Sequence, residues 1–129
     1  MNLHAISLGL LLFSSFSYAS DGETAKSNEA AYQLSFFAPT QSVHCVKVLP
    51  TYKQTFDPAF ATWTSWNRQK INAGREAAIL KLKPGEDIAT QETRLSSILD
   101  LALNSFPPGA IKASCKQLLD QLTTEGKPK

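Results

Sequence analysis

The chain has 129 residues, a net charge of +2, 43% hydrophobic residues and 19% charged ones. These values exclude a disordered chain, which has too little apolar content to fold, and they leave no basic excess of the kind that binds polyanions such as nucleic acid. The length suits one domain and excludes a repeat array or a two-domain enzyme.

The chain opens on the short apolar run Ala5–Phe13, followed by Ser14, Ser15, Phe16, Ser17, Tyr18 and Ala19. Small Ser17 and Ala19 sit three and one residues before a cut after Ala19, the pattern of a removed secretory signal. A spanning helix needs about 20 apolar residues, so this run is too short for stable membrane insertion. The n-region carries no Lys or Arg, only the amino terminus and His4. The alternative is a buried N-terminal helix. Residues 1–19 are thus expected to be an export signal, 20–28 a flexible polar segment, 29–125 a single helical domain and 126–129 a disordered tail. The expected destination is the periplasm or the exterior.

Cys45 and Cys115 are the two cysteines. In an exported chain an even count reads first as a disulfide. A bridge across that separation would destabilise the unfolded chain by about 4 kcal/mol as an upper figure. The spacing does not suit a Cys-x-x-Cys redox pair, and two cysteines do not make a four-ligand structural zinc site. The rival readings are two free thiols in a reducing cell, or pairing between molecules.

Residues Ala30 to Tyr52 admit two readings. As helix, Cys45, Val48, Leu49 and Tyr52 share a face, with Pro39 and Pro50 as boundaries. As a hairpin, Tyr32, Leu34 and Phe36 alternate with polar neighbours. Helix is preferred, because no third strand is visible to complete a sheet. The next helix is predicted from about Asp57 to Lys83. Asp57 is a good N-cap, Pro58 suits the first helical position and Pro84-Gly85 ends the segment. Phe56, Phe60, Trp63, Asn67 and Ile71 fall on one face, and Gly74 is a weak point where a bend is expected. A further helix is predicted from about Asp87 to Ser105. Its apolar face is wide, with Ile88, Leu95, Ile98, Leu99, Ala102 and Phe106 flanked by Leu101 and Leu103, which implies deep burial between neighbours. Pro107-Pro108 stops it. The last helix, about Ala110 to Thr123, places Ile111, Cys115, Leu118 and Leu122 at steps of 4, 3 and 4, so Cys115 points inward. The fold expected is all-α: four to five helices, one disulfide linking the N-terminal region to the last helix.

Chemistry is sparse. His44 is the one histidine beyond the expected signal. It neighbours Cys45, but adjacent residues on a helix point about 100° apart, so the two do not form a nucleophilic pair. A hydrogen-bonded or partly exposed surface histidine is the reading here. Glu86, Asp87 and Glu92 gather at a helix start, where helix-end electrostatics explains them. A hydrolase built on these carboxylates is the third alternative. No phosphate loop, metal-binding histidine pair, calcium loop or nucleophile elbow is present, so neither cofactor nor metal is expected. Arg68, Lys70, Arg75, Lys81 and Lys83, with Glu76 the only acid among them, form the densest positive stretch. Trp66 sits at the edge of the core stripe, as a lid on the core or an anchor for a partner. Trp66, Arg68 and Arg75 are therefore the candidate partner contacts. Phe36 and Phe37 are adjacent, so one of them leaves the main buried face.

An export signal, Cys45 ahead of a proline, a long helix containing Phe60, Trp63 and Asn67, and a final amphipathic helix carrying Cys115 make a layout similar in size to periplasmic immunity proteins that neutralise secreted cell-wall amidases. The similarity is architectural, matches no motif residue by residue and transfers no site residues. The missing catalytic chemistry leads to the expectation of a non-enzymatic protein that binds another periplasmic or secreted protein, and the similarity implies an inhibitor or immunity-type factor. The alternative from another class is a carrier of a small apolar ligand, held between helices.

Overall fold

The computed structural model describes the backbone of residues 3–129 and the side chains of residues 22–129. The export signal expected over residues 1–19 lies outside the residues whose side chains are described. Five helices and no strand occur among the described residues: α1 Leu3–Val48, α2 Tyr52–Trp66, α3 Arg68–Leu80, α4 Ile88–Asn104 and α5 Pro108–Thr124. The all-α reading stands, and the helical alternative for residues 30–52 is the one observed up to Val48, with Tyr52 opening the next helix.

α1 is the axis, and each of the other helices packs against it. It runs through both the polar segment 22–28 and Pro39, which was expected as a boundary. Proline inside a helix costs about 3 kcal/mol, through a lost hydrogen bond and a ring clash. Here Pro39 faces solvent while Ala38 beside it is fully buried, so packing on the opposite side holds the helix through the defect. Hydroxyls bind the backbone around it: Ser42 donates to the Pro39 carbonyl at 2.8 Å and Thr40 to the Phe36 carbonyl at 3.3 Å. Pro50 ends the helix, because the residue before a proline is driven out of helical conformation.

One helix was predicted across residues 57–83; the structure has two, and the first starts earlier. Pro58 lies inside α2 rather than opening it. The capping signal at Asp57 is overridden by burial of Tyr52 and Phe56, which extend the stripe of Phe60 and Trp63 by two turns. The four rings stack in sequence with centroids 5.8, 5.3 and 6.0 Å apart. The break falls at Asn67, not at Gly74. Buried Asn67 directs its side-chain amide to the Trp63 carbonyl at 2.9 Å and to the Glu125 carbonyl at 3.1 Å. An asparagine side chain that competes for backbone groups in this way interrupts a helix. Gly74 has a different role: a Cβ there would collide with the Asn28 carbonyl and Tyr32 Cβ, so the missing side chain is what lets α3 cross α1 closely.

Three helix boundaries follow elementary rules. α3 ends at Leu80, short of the predicted Lys83, and Gly85, at φ +86°, then turns the loop towards α4 in a conformation that favours glycine. Asp87 caps α4, accepting from the Thr90 amide at 2.9 Å. Pro108 takes the first turn of α5, where its missing N–H is not needed. The predicted stripe of α5 is fully realised: Ile111, Cys115, Leu118 and Leu122 are all buried. At the C-terminus, Gly126 adopts φ +74° and closes over the Asn67 side chain, so the chain that was expected to fray here makes a contact first.

The expectation for α4 is overturned. Its wide apolar face is not enclosed between neighbours. α4 packs chiefly on α1, burying Leu103 and half-burying Leu95 and Leu99, while Ile98 and Leu101 point to solvent. A helix with one main neighbour can bury only the stripe that faces it.

Candidate functional site

Cys45 and Cys115 are joined, with their Cα atoms 5.8 Å apart, a separation ordinary for a disulfide. Both are fully buried. Tyr52 donates its hydroxyl to the Cys115 carbonyl at 2.9 Å, and Gln41 donates to the Ser114 carbonyl at 3.2 Å. Burial pushes the Tyr52 phenol up to about 12. Held in the bridge, Cys45 is no nucleophile; the cluster clamps the end of α1 to α2 and α5.

His44 points about 100° around the helix from Cys45, as its position one residue before it requires. It is buried rather than on the surface, and its Nε2 meets Asp100 Oδ1 of α4 at 2.6 Å, with the carboxylate as acceptor. Asp100 is half-exposed on an open depression of about 490 Å³ whose lining includes Thr40, Ser96 and Ser97. Ser97 gives its hydroxyl to the Thr93 carbonyl at 2.9 Å. The arrangement ties α1 to α4. Nothing in the sequence flagged Asp100 as the partner, because it lies within an apolar run 56 residues away.

The three carboxylates that cluster in sequence separate in space. Glu86 accepts from the Lys83 amide at 2.8 Å. Asp87 serves as the cap, and hydrogen bonds from the Thr90 backbone and then its hydroxyl hold its carboxyl below the usual range. Glu92 turns inward. It accepts from the Tyr32 hydroxyl at 3.1 Å and from Arg75 Nε at 3.4 Å, joining α1, α3 and α4 at one atom. Burial first, then the Glu92 hydrogen bond and charge, push the Tyr32 phenol up to about 12, with Arg75 opposing. No group of three or more His, Cys, Asp or Glu side chains suited to a metal ion occurs among the described residues.

The three partner contacts chosen from sequence do not form one uniform patch. Trp66 is half-buried, Arg68 is exposed and Arg75 is engaged by Glu92. Phe36 and Phe37 are both half-buried and meet edge to face at 4.6 Å, so neither is left as a free anchor. Exposed apolar side chains lie at Ile98 (58%) and Leu101 (70%) on α4, at Phe106 just beyond it, and also at Val43 on α1 and at Ile79 and Leu80 (86%) at the end of α3. Ile98 and Leu101 were visible as surplus width in the apolar face of α4. Their exposure was not, because it depends on how many helices surround α4. Comparison with protein-family models, with curated proteins and with solved structures returns no match.

Proposed function

We propose that this chain acts by binding another protein, as an exported, non-enzymatic factor of the inhibitor or immunity type, and that the outward face of α4 is the surface it uses. The observation that carries this reading is the exposure of Ile98 and Leu101, one turn apart, on a helix whose inward stripe is already spent on α1. Leaving apolar area in water forgoes about 25 cal/mol per Å². Arg94, Ser97 and Ser105 border the pair, and an apolar centre with a polar rim is the anatomy of a recognition surface. The buried Cys45–Cys115 bridge supports a working place outside the reducing cytosol. The anchor is thus α4 rather than Trp66, and of the two arginines chosen from sequence Arg68 is exposed without an ion pair among the described residues while Arg75 is engaged by Glu92. A partner with a complementary apolar groove or helix face fits this surface.

Photo-crosslinking in cells tests the reading. A photoreactive residue at Leu101 is expected to yield one discrete adduct, and the same residue at Lys112 on α5 none. Ile98→Asp combined with Leu101→Asp should abolish the adduct while shifting folding stability by no more than about 0.5 kcal/mol, as surface substitutions do. Adducts of equal yield from both positions, or an adduct that survives the double substitution, would overturn it.

A further inference from the structure

α3 and α4 each pack on α1 and meet one another at the Arg75–Glu92 pair, which leaves a cleft of about 280 Å³ between the three helices. The cleft is distinct from the outward face of α4. Gly74 brings α3 onto α1 at one side, and Ala73, Ala77 and Leu95 give it an apolar floor. Three carboxamides line it as well, those of Asn28, Gln33 and Gln91. It also carries one acid and one base, Glu29 on α1 and Lys81 just past the end of α3, both exposed and neither in an ion pair among the described residues. Glu29 accepts only a long hydrogen bond from Gln33, at 3.4 Å.

The size and chemistry together narrow the occupant. Pockets for drug-sized ligands run from about 300 to 1,000 Å³, so this one is too small for a long acyl chain or a pigment. Opposite charges on one lining match a ligand that carries both signs. Carboxamides donate and accept at once, as a peptide or α-amino-acid backbone requires. We infer that the cleft binds a small zwitterion built on an apolar amino acid, with its ammonium at Glu29, its carboxylate at Lys81 and its side chain on the alanine floor. Exposed ion pairs are weak and the cleft is small, so the affinity expected is millimolar or weaker.

An NMR titration of the ¹⁵N-labelled protein reads such affinities directly. Leucine and leucyl-leucine are added up to about 10 mM, beside N-acetylleucine, which lacks the ammonium, and leucinamide, which lacks the carboxylate. The expected shifts cluster at residues 25–36, 73–81 and 88–95 with the two zwitterions, and whichever binds more tightly identifies the free amino acid or the peptide as the source. Either blocked compound should bind about two- to fivefold more weakly, the worth of one exposed ion pair. Lys81→Met should erase the preference for leucine over leucinamide, and Glu29→Gln the preference over N-acetylleucine. Both positions are exposed, so the same spectra report an intact fold. Absence of shifts with both zwitterions, blocked compounds that bind as tightly as leucine, or shifts confined to other residues would overturn the inference.

Discussion

α1 supports two kinds of packing. Towards α2 and α5 its partners are buried side chains and a covalent link: Trp63, Leu118 and Leu122 are at most 3% exposed, and the Cys45–Cys115 bridge sits among them. Towards α4 it is held by one buried leucine, Leu103, by half-buried Leu95 and Leu99, and by two polar ties, His44–Asp100 and Tyr32–Glu92. The first side resembles the centre of a small bundle, and the second resembles a helix laid on its surface. The difference teaches that burial is rationed by neighbours. α4 carries as much apolar face as α5, yet only the stripe that meets α1 is removed from water. Stability is concentrated where α1, α2 and α5 meet, while spare apolar surface and polar hinges gather on α4.

The largest expected effect tests the buried side. Trp63→Ala removes the last ring of the α2 ladder and should cost about 3–5 kcal/mol, read as a fall in the urea midpoint with cooperative loss of all helices. A cost below about 1 kcal/mol would break the contrast. Replacing both cysteines by serine should cost about 2–4 kcal/mol, chiefly by freeing the unfolded chain, with the native circular dichroism retained.

Alkaline unfolding sharpens the comparison, because one raised tyrosine lies on each side. Tyr32 and Tyr52 are pushed up to about 12 in the folded protein, against an ordinary value of 10.0. The unfolded chain therefore loses these protons first. Stability from this source is complete below pH 10 and falls as the pH rises towards 12, by up to about 1.4 kcal/mol per pH unit for each tyrosine. Thermal melts of the wild type should decline steeply across that window, and those of Tyr52→Phe less steeply. Equal slopes would show that Tyr52 is not held neutral by its burial.

The smallest effect belongs to the α4 side. His44→Ala breaks one tie to a half-exposed carboxylate and should cost about 1–2 kcal/mol. Amide hydrogen exchange should accelerate in α4 before α2 and α5, since α4 can open without disturbing the bridge. Acceleration spread evenly over all helices would show that the molecule opens as one unit.

Several features of this molecule were legible in its residues. The stripe Ile111, Cys115, Leu118 and Leu122 lies on one face at helical period, and any helix with that pattern buries it. Two cysteines in one chain have a single internal pairing. Asp87 and Pro107-Pro108 act on the backbone within a few residues, so they mark ends wherever the helices dock, whereas α3 stops at Leu80, ahead of the Pro84-Gly85 signal. These are local properties, set by the geometry of one turn.

What the tertiary structure alone decided is where local signals are overruled. Pro39 passes through α1 because Ala38 and Cys45 are anchored on the other side, and α2 begins ahead of Asp57 because Tyr52 finds the Cys115 carbonyl. Asn67 breaks a helix through a residue 58 positions away, and Gly74 serves a crossing that no period reveals. The candidate surface has the same origin. Periodicity shows that Ile98 and Leu101 belong to a wide apolar face, but exposure depends on which helices stand around α4, and a side chain's solvent is chosen by its distant neighbours.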